Sequence, residues 1–152
     1  ACTSIKSSTM RDVLIVGTVL PWKFDVRWPN TEGFCAALDI QQTEWRRLTE
    51  SAPARTLVLA GDFNQSLPHQ RYYGSQRNEI ALNAALESQE LRCVTPGNDS
   101  LTGIPRIDHI CVHPKTLQSL AAPQIGTWPT PEVRGKPVTD HSGVYVDWDD
   151  AQ

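Results

Sequence analysis

Apolar residues fill Val13 to Val16 and return at Val19 and Leu20 in the stretch DVLIVGTVL, Asp12 to Leu20, and Pro21 closes it. A run this apolar on successive positions, bounded by a proline, predicts a strand buried on both faces. Thr56 to Ala60, TLVLA, predicts a second strand, and Arg92 to Thr95 a short one ended by Pro96-Gly97-Asn98. Ile107 to Val112 and Gly143 to Trp148, GVYVDW, predict two more. Helical spacing appears twice. Asp39 to Ser51 places Ile40, Trp45 and Leu48 at near-helical intervals, with Asp39 as N-cap and Pro53 beyond the end. Asn78 to Leu91 repeats apolar residues at Ile80, Leu82, Ala85 and Leu86, with Asn78 as N-cap. Trp22 to Phe34 and Gln65 to Arg77 read as long loops, and Ala121 to Pro137, which holds four prolines, as a surface run.

Strands alternating with helices predict a layered α/β or α+β domain. Strands apolar on both faces need cover on both sides, and two helices are a small supply of it.

Composition narrows the class without naming it. At 152 residues, 39% apolar and 20% charged, the chain has the size and make-up of one globular domain. The formal net charge of -3 argues against a broad basic surface for nucleic acid, though not against a local patch. No window approaches the roughly 18 apolar residues of a membrane span. The opening ACTSIKSSTMRD lacks the apolar segment of a signal peptide. No compartment is named by these features; a cytoplasmic one is the expectation. Cys2, Cys35, Cys93 and Cys111 form no C-x-x-C pair, so a structural zinc site is not expected. Cys111, inside an apolar strand, reads as a small core residue.

The strand ends carry the chemistry. After TLVLA come Gly61, Asp62, Phe63 and Asn64; alternation along an extended chain turns Asp62 and Asn64 to one side and Phe63 to the core. Taken alone, GDFN is also an ordinary turn sequence. In IPRIDHICVH, however, Asp108 and His109 head another apolar strand, and in VTDHSGVYV, Asp140 and His141 precede a third. One Asp-His pair is most simply a surface ion pair or a cap. Three acids at the ends of three strands are different, because strand ends share the rim where α/β folds place ligands. Gathered carboxylates repel one another unless a cation or a proton neutralises them. A hard divalent ion with oxygen ligands, magnesium or manganese, is the simplest occupant.

LAGDFN, RIDHI and TDHSGV, in this order, resemble three C-terminal motifs of the endonuclease/exonuclease/phosphatase superfamily, and the resemblance runs from about Val13 to Trp148. It implies that superfamily's layered α/β (α+β) sandwich, with residues 1–152 as a single partial domain resembling the C-terminal half of a four-layer fold. It implies hydrolysis of a phosphate ester with Mg2+ or Mn2+. Asp62 matches the aspartate that positions or deprotonates the attacking water, and Asn64 its companion. His141 matches the histidine that stabilises charge on the scissile phosphate, Asp108 the carboxylate that orients it, and Asp140 a metal-site carboxylate. His109, on the other strand face, reads as structural, and His69 and His113 as surface residues. Trp22, Arg71 and Tyr72, with Tyr73 beside them, lie in loops where substrate contacts are expected.

Two departures accompany the match. Val19 stands where a histidine or tyrosine of the family often reaches the phosphate. The first-strand asparagine and the metal-binding glutamate of the family have no counterpart here. The resemblance therefore implies a fragment with a bare apolar sheet face, covered by the remaining half of the fold or by self-association. The isolated chain is expected to be impaired, and a catalytically inactive binding module is the alternative. Calcineurin-type phosphatases also carry Gly-Asp motifs, but their histidine-rich signatures are missing.

Overall fold

The computed structural model describes residues 2–5, 12–22, 31–68, 70, 73–114 and 123–148. In chain order the elements are β1 (Cys2–Ile5), β2 (Val13–Val19), α1 (Thr31–Ser51), β3 (Thr56–Asp62), α2 (Gln76–Ser88), β4 (Arg92–Cys93), β5 (Asp108–Val112), β6 (Gln124–Trp128), β7 (Glu132–Val133), β8 (Lys136–Pro137) and β9 (Gly143–Asp147).

Five strands form one sheet in the order β1-β2-β3-β5-β4. β2 and β3 run parallel, so the chain between them must cross over the sheet, and α1 is that crossover. β3 and β5 are antiparallel, with Asp62 opposite Asp108 at the end of the ladder. β6 and β9 form a separate antiparallel ribbon and β7 and β8 a small hairpin. The ribbon leans on the main sheet where Ala60, Gly61 and Ile110 line a cleft with Ser142, Gly143 and Val144.

Strand alternation sorts the core. Leu14, Val16, Leu57, Leu59 and Cys111 point to one face and are buried with Phe34, Leu38 and Trp45 of α1 and Leu82, Ala85 and Leu86 of α2. Burying side chains of this size stabilises by about 1.5–3 kcal/mol each. Ile15, Val58, Ala60 and Ile110 share the other face and are half-buried. Among the described residues no helix covers that face, and its side chains stay part-exposed. Next to the end of β3, in line with Leu57 and Leu59, Gly61 (φ +146°) leaves room for β2, since a Cβ there would lie 2.0 Å from the Thr18 carbonyl oxygen.

Several sequence-derived boundaries move. α1 starts eight residues before Asp39, which lies inside it. Its buried side is Phe34, Leu38 and Trp45, and Ile40 is exposed. Ser75, not Asn78, caps α2 by accepting from the Asn78 amide, and Asn78 is buried. Ile80 also faces solvent. The described part of the proline-rich run, 123–137, lies at the surface as expected, and it also carries β6, β7 and β8. Its prolines fall beside or at the ends of strands, where a missing N–H costs no ladder bond. Residues 23–30 of the first expected loop, and His69, Arg71 and Tyr72 of the second, lie outside the described residues.

Candidate active site

Asp62 ends β3, Asp108 begins β5, and Val19 ends β2; register places all three in one row on the half-buried face. Val19 is 69% exposed beside Asp62 and offers no hydrogen-bonding group. Here the backbone leaves the strand. Phe63 turns into the core, fully buried, and its amide donates to the Ile107 carbonyl at 2.8 Å.

Asn64 reaches Asp62 by a turn rather than by strand alternation. Its φ is +48°, a left-handed conformation that asparagine tolerates better than most residues. The Asn64 amide donates to Asp62 Oδ1 at 2.8 Å, and Nδ2 donates to Asp62 Oδ2 at 2.9 Å and to the Leu20 carbonyl at 2.8 Å. The Leu20 amide in turn donates to the Asp62 carbonyl at 2.9 Å. GDFN is thereby clamped to the end of β2.

His141 arrives from the loop before β9. Its Nδ1 donates to Asp108 Oδ2 at 2.7 Å. The His141 carbonyl accepts from Thr130 Oγ1, and its amide donates to Thr139 Oγ1 at 3.2 Å. Arg106, two residues before Asp108, ties the ribbon to this rim, with Nη2 donating to Thr127 Oγ1 at 3.1 Å. Asp62, Asn64, Asp108 and His141 therefore stand together. Asp140 points to solvent, its Oδ1 3.9 Å from His141 Nε2 and its side chain 97% exposed. A cavity of 110 Å³ beside them is lined by Asp108, Asp140, His141, Arg106 and Tyr73. Trp22 is exposed two residues beyond Leu20 and does not line that cavity. A larger cavity, 690 Å³, opens between α2 and β4 and holds none of these side chains.

Charge follows from the placement. Burial lifts the Asp62 carboxyl above its ordinary 3.8, and the facing Asp108 adds to this against the two hydrogen bonds from Asn64. Burial alone would lower His141, but the Asp108 carboxylate outweighs it and holds the imidazole above its ordinary 6.5, with Asp62 and Asp140 assisting. One ligand atom each from Asp62, Asp108 and His141 lies within 4.8 Å of the others, close enough to share a cation. Because His141 Nδ1 is engaged by Asp108, the carboxylate oxygens are the donors that suit such an ion, and hard oxygen donors suit Mg2+ or Mn2+.

His109 is structural, as its strand face implied. It is fully buried, with Nε2 2.9 Å from the Gln65 carbonyl and Nδ1 3.2 Å from the Thr95 carbonyl. Phe63 packs against its ring at 5.8 Å. Gln65 and Thr95 are buried polar residues, and nothing in their local pattern distinguishes them from loop residues. His113 pairs with Glu90 at 3.2 Å.

The fold is that of the endonuclease/exonuclease/phosphatase structures. A 3'-5' exonuclease, NExo, from Neisseria meningitidis superposes with a TM-score of 0.57 at 18% identity, covering 90% of this chain and 61% of that one. The endonuclease domain of TRAS1, a telomere-specific non-LTR retrotransposon, gives 0.57 at 14% identity, covering 97% and 62%. A mannosyl-6-phosphatase, Bt3783, from Bacteroides thetaiotaomicron gives 0.56 at 17% identity, covering 93% and 52%. The chain thus spans about three-fifths or less of the structures it matches. No family model matches the chain, and no curated protein does. Among the described residues no helix is long and apolar enough to cross a membrane.

Proposed function

We propose that this rim hydrolyses a phosphate ester with the help of a divalent cation. The observation that carries the reading is the convergence of two hydrogen-bonded pairs, Asp62 with Asn64 and Asp108 with His141, from three separate stretches of sequence, with ligand atoms of Asp62, Asp108 and His141 within 4.8 Å of one another. Asp62, whose carboxyl burial lifts above its ordinary range, takes a proton from the attacking water, and Asn64 holds that carboxylate in line. His141, kept protonated by Asp108, stabilises negative charge on the phosphoryl oxygens. Asp62 and Asp108 would hold the cation, Mg2+ or Mn2+, with Asp140 as a further ligand. When bound, that ion neutralises the non-bridging oxygens of the ester.

The solved structures of this fold include nucleases and phosphatases, one of them a 3' phosphatase bound to product DNA. By analogy the substrate is a phosphodiester or monoester, with nucleic acid one candidate. Trp22 and the Arg71-Tyr72-Tyr73 segment are the proposed substrate contacts. Tyr73 on the cavity wall supports the second assignment.

A second reading, a binding module that keeps the fold without turnover, rests on Val19, which leaves the row beside Asp62 without a donor. Bis-p-nitrophenyl phosphate distinguishes the two. Hydrolysis that needs Mg2+ or Mn2+, stops with chelator, and falls by roughly 10²–10³-fold in His141→Ala supports catalysis. No chelator-sensitive turnover, or a rate unchanged in His141→Ala, favours the binding module.

A further inference from the structure

On the helix side of the sheet, two cysteines face each other. Cys93 of edge strand β4 is the register partner of Cys111 in β5. The Val94 amide donates to the Ile110 carbonyl at 2.9 Å while the Ile110 amide donates to Thr95 Oγ1 at 2.9 Å, so 94 and 110 stand in the hydrogen-bonded register with one of its two bonds made. The next pair along an antiparallel ladder is then non-hydrogen-bonded, the kind in which side chains come closest. Such pairs have Cα atoms about 4.5 Å apart, and a disulfide accepts about 4.4–6.8 Å. Cys111 is fully buried, whereas Cys93 lines the open 690 Å³ cavity between α2 and β4, together with Arg92 and Pro96. Both thiols are free.

We propose that Cys93 and Cys111 form an oxidation site that takes a hydroperoxide from this cavity and closes to a disulfide. The surroundings suit the first step. Cys93 Sγ lies 3.6 Å from His109 Nδ1 and 4.0 Å from Thr95 Oγ1. The hydrogen bond with Cys111 outweighs burial and pulls the Cys93 thiol below its ordinary range, while that same contact and burial push Cys111 up. A thiolate that meets solvent is the form that peroxide oxidises. Cys93 sulfur attacks the peroxide O–O bond, taking one oxygen as sulfenic acid and releasing water. Cys111 sulfur then attacks the Cys93 sulfur, the S–O bond breaks, and a second water leaves as the S–S bond forms. In total two thiols lose two protons and two electrons, and hydrogen peroxide becomes two waters. The edge position of β4, joined to the sheet on one side only, lets it give as the sulfurs close. This site does not depend on the phosphate-ester reading.

The test is hydrogen peroxide added to the purified chain, followed by N-ethylmaleimide and peptide mass mapping. A Cys93–Cys111 cross-linked peptide, two hydrogens lighter than the dithiol and restored by dithiothreitol, is the expected product. Cys93 loses maleimide reactivity faster than half-buried Cys35, the internal control. In Cys111→Ser the disulfide is absent and dimedone traps a sulfenic acid on Cys93. Oxidation that reaches Cys35 as fast as Cys93, a cross-link joining other cysteines, or oxygen addition with no cross-link would each overturn the proposal. The wild-type mapping alone decides it if the variant does not fold.

Discussion

His141 gives its Nδ1 hydrogen to Asp108 Oδ2 at 2.7 Å across 33 positions of sequence, joining the loop before β9 to the first residue of β5. The side chains are 34% and 29% exposed, so the pair is shielded yet within reach of a ligand. The other nitrogen, Nε2, lies 3.9 Å from Asp140 Oδ1.

That pair sets a pH dependence. The folded-state pKa of His141 is raised above 6.5, so its contribution to stability is fully present below the unfolded value and is lost as pH rises through the folded one. The gap in unfolding midpoint between wild type and His141→Gln should be widest below pH 6.5 and shrink at higher pH. An NMR titration of His141 should move to lower pH in Asp108→Asn. An unchanged titration would show that Asp108 does not hold the imidazole charged.

Metal binding has its own readout. Calorimetric titration with Mn2+ should reveal a site that weakens by about tenfold or more in Asp62→Asn and in Asp108→Asn, each of which removes a charged oxygen donor. Asp140→Asn, farther out and solvated, should weaken it less. Equal affinity in all four proteins would remove the carboxylate rim as the binding site.

Asn64 combines a left-handed backbone with a side chain that spans two strand ends. Asn64→Ala loses those hydrogen bonds and keeps the unfavourable φ, and should cost about 2–3 kcal/mol in denaturant unfolding. Asn64→Gly relieves the backbone part and should recover about 1 kcal/mol of that loss. Alanine no worse than glycine would mean that the conformation carries no strain.

Val19 offers the opposite test, a gain. Being 69% exposed in the row with Asp62 and Asp108, it should accept histidine within about 0.5 kcal/mol of wild-type stability. A donor restored there should raise ester turnover relative to wild type in the bis-p-nitrophenyl phosphate assay. Turnover that stays level or drops would mean that the ester does not approach this side of Asp62.

The elements were legible to different degrees, for physical reasons. β2, β3 and β5 are apolar runs whose local pattern suffices, and each was read to within a residue or two. The first turns of α1 were missed because Thr31 to Phe34 follow an aromatic, proline-rich stretch, and Phe34 and Leu38 show their spacing only once a sheet lies beneath them. Ile40 and Ile80 matched the expected helical face, but tertiary packing chose Leu38 and Asn78 and left both isoleucines in solvent. β6 to β8 are short and polar, and pairing partners rather than propensity make them strands.

By itself the sequence determined which polar groups end which strands, because alternation and the apolar runs allow few other placements. It also carried the resemblance that named the fold. Only the tertiary structure decided that residues 62, 108 and 141 meet, since antiparallel register and a returning loop bring them together from distant segments. The same register made partners of Cys93 and Cys111, which no spacing along the chain announces. Local pattern fixes the direction in which a side chain points; long-range pairing fixes what it meets.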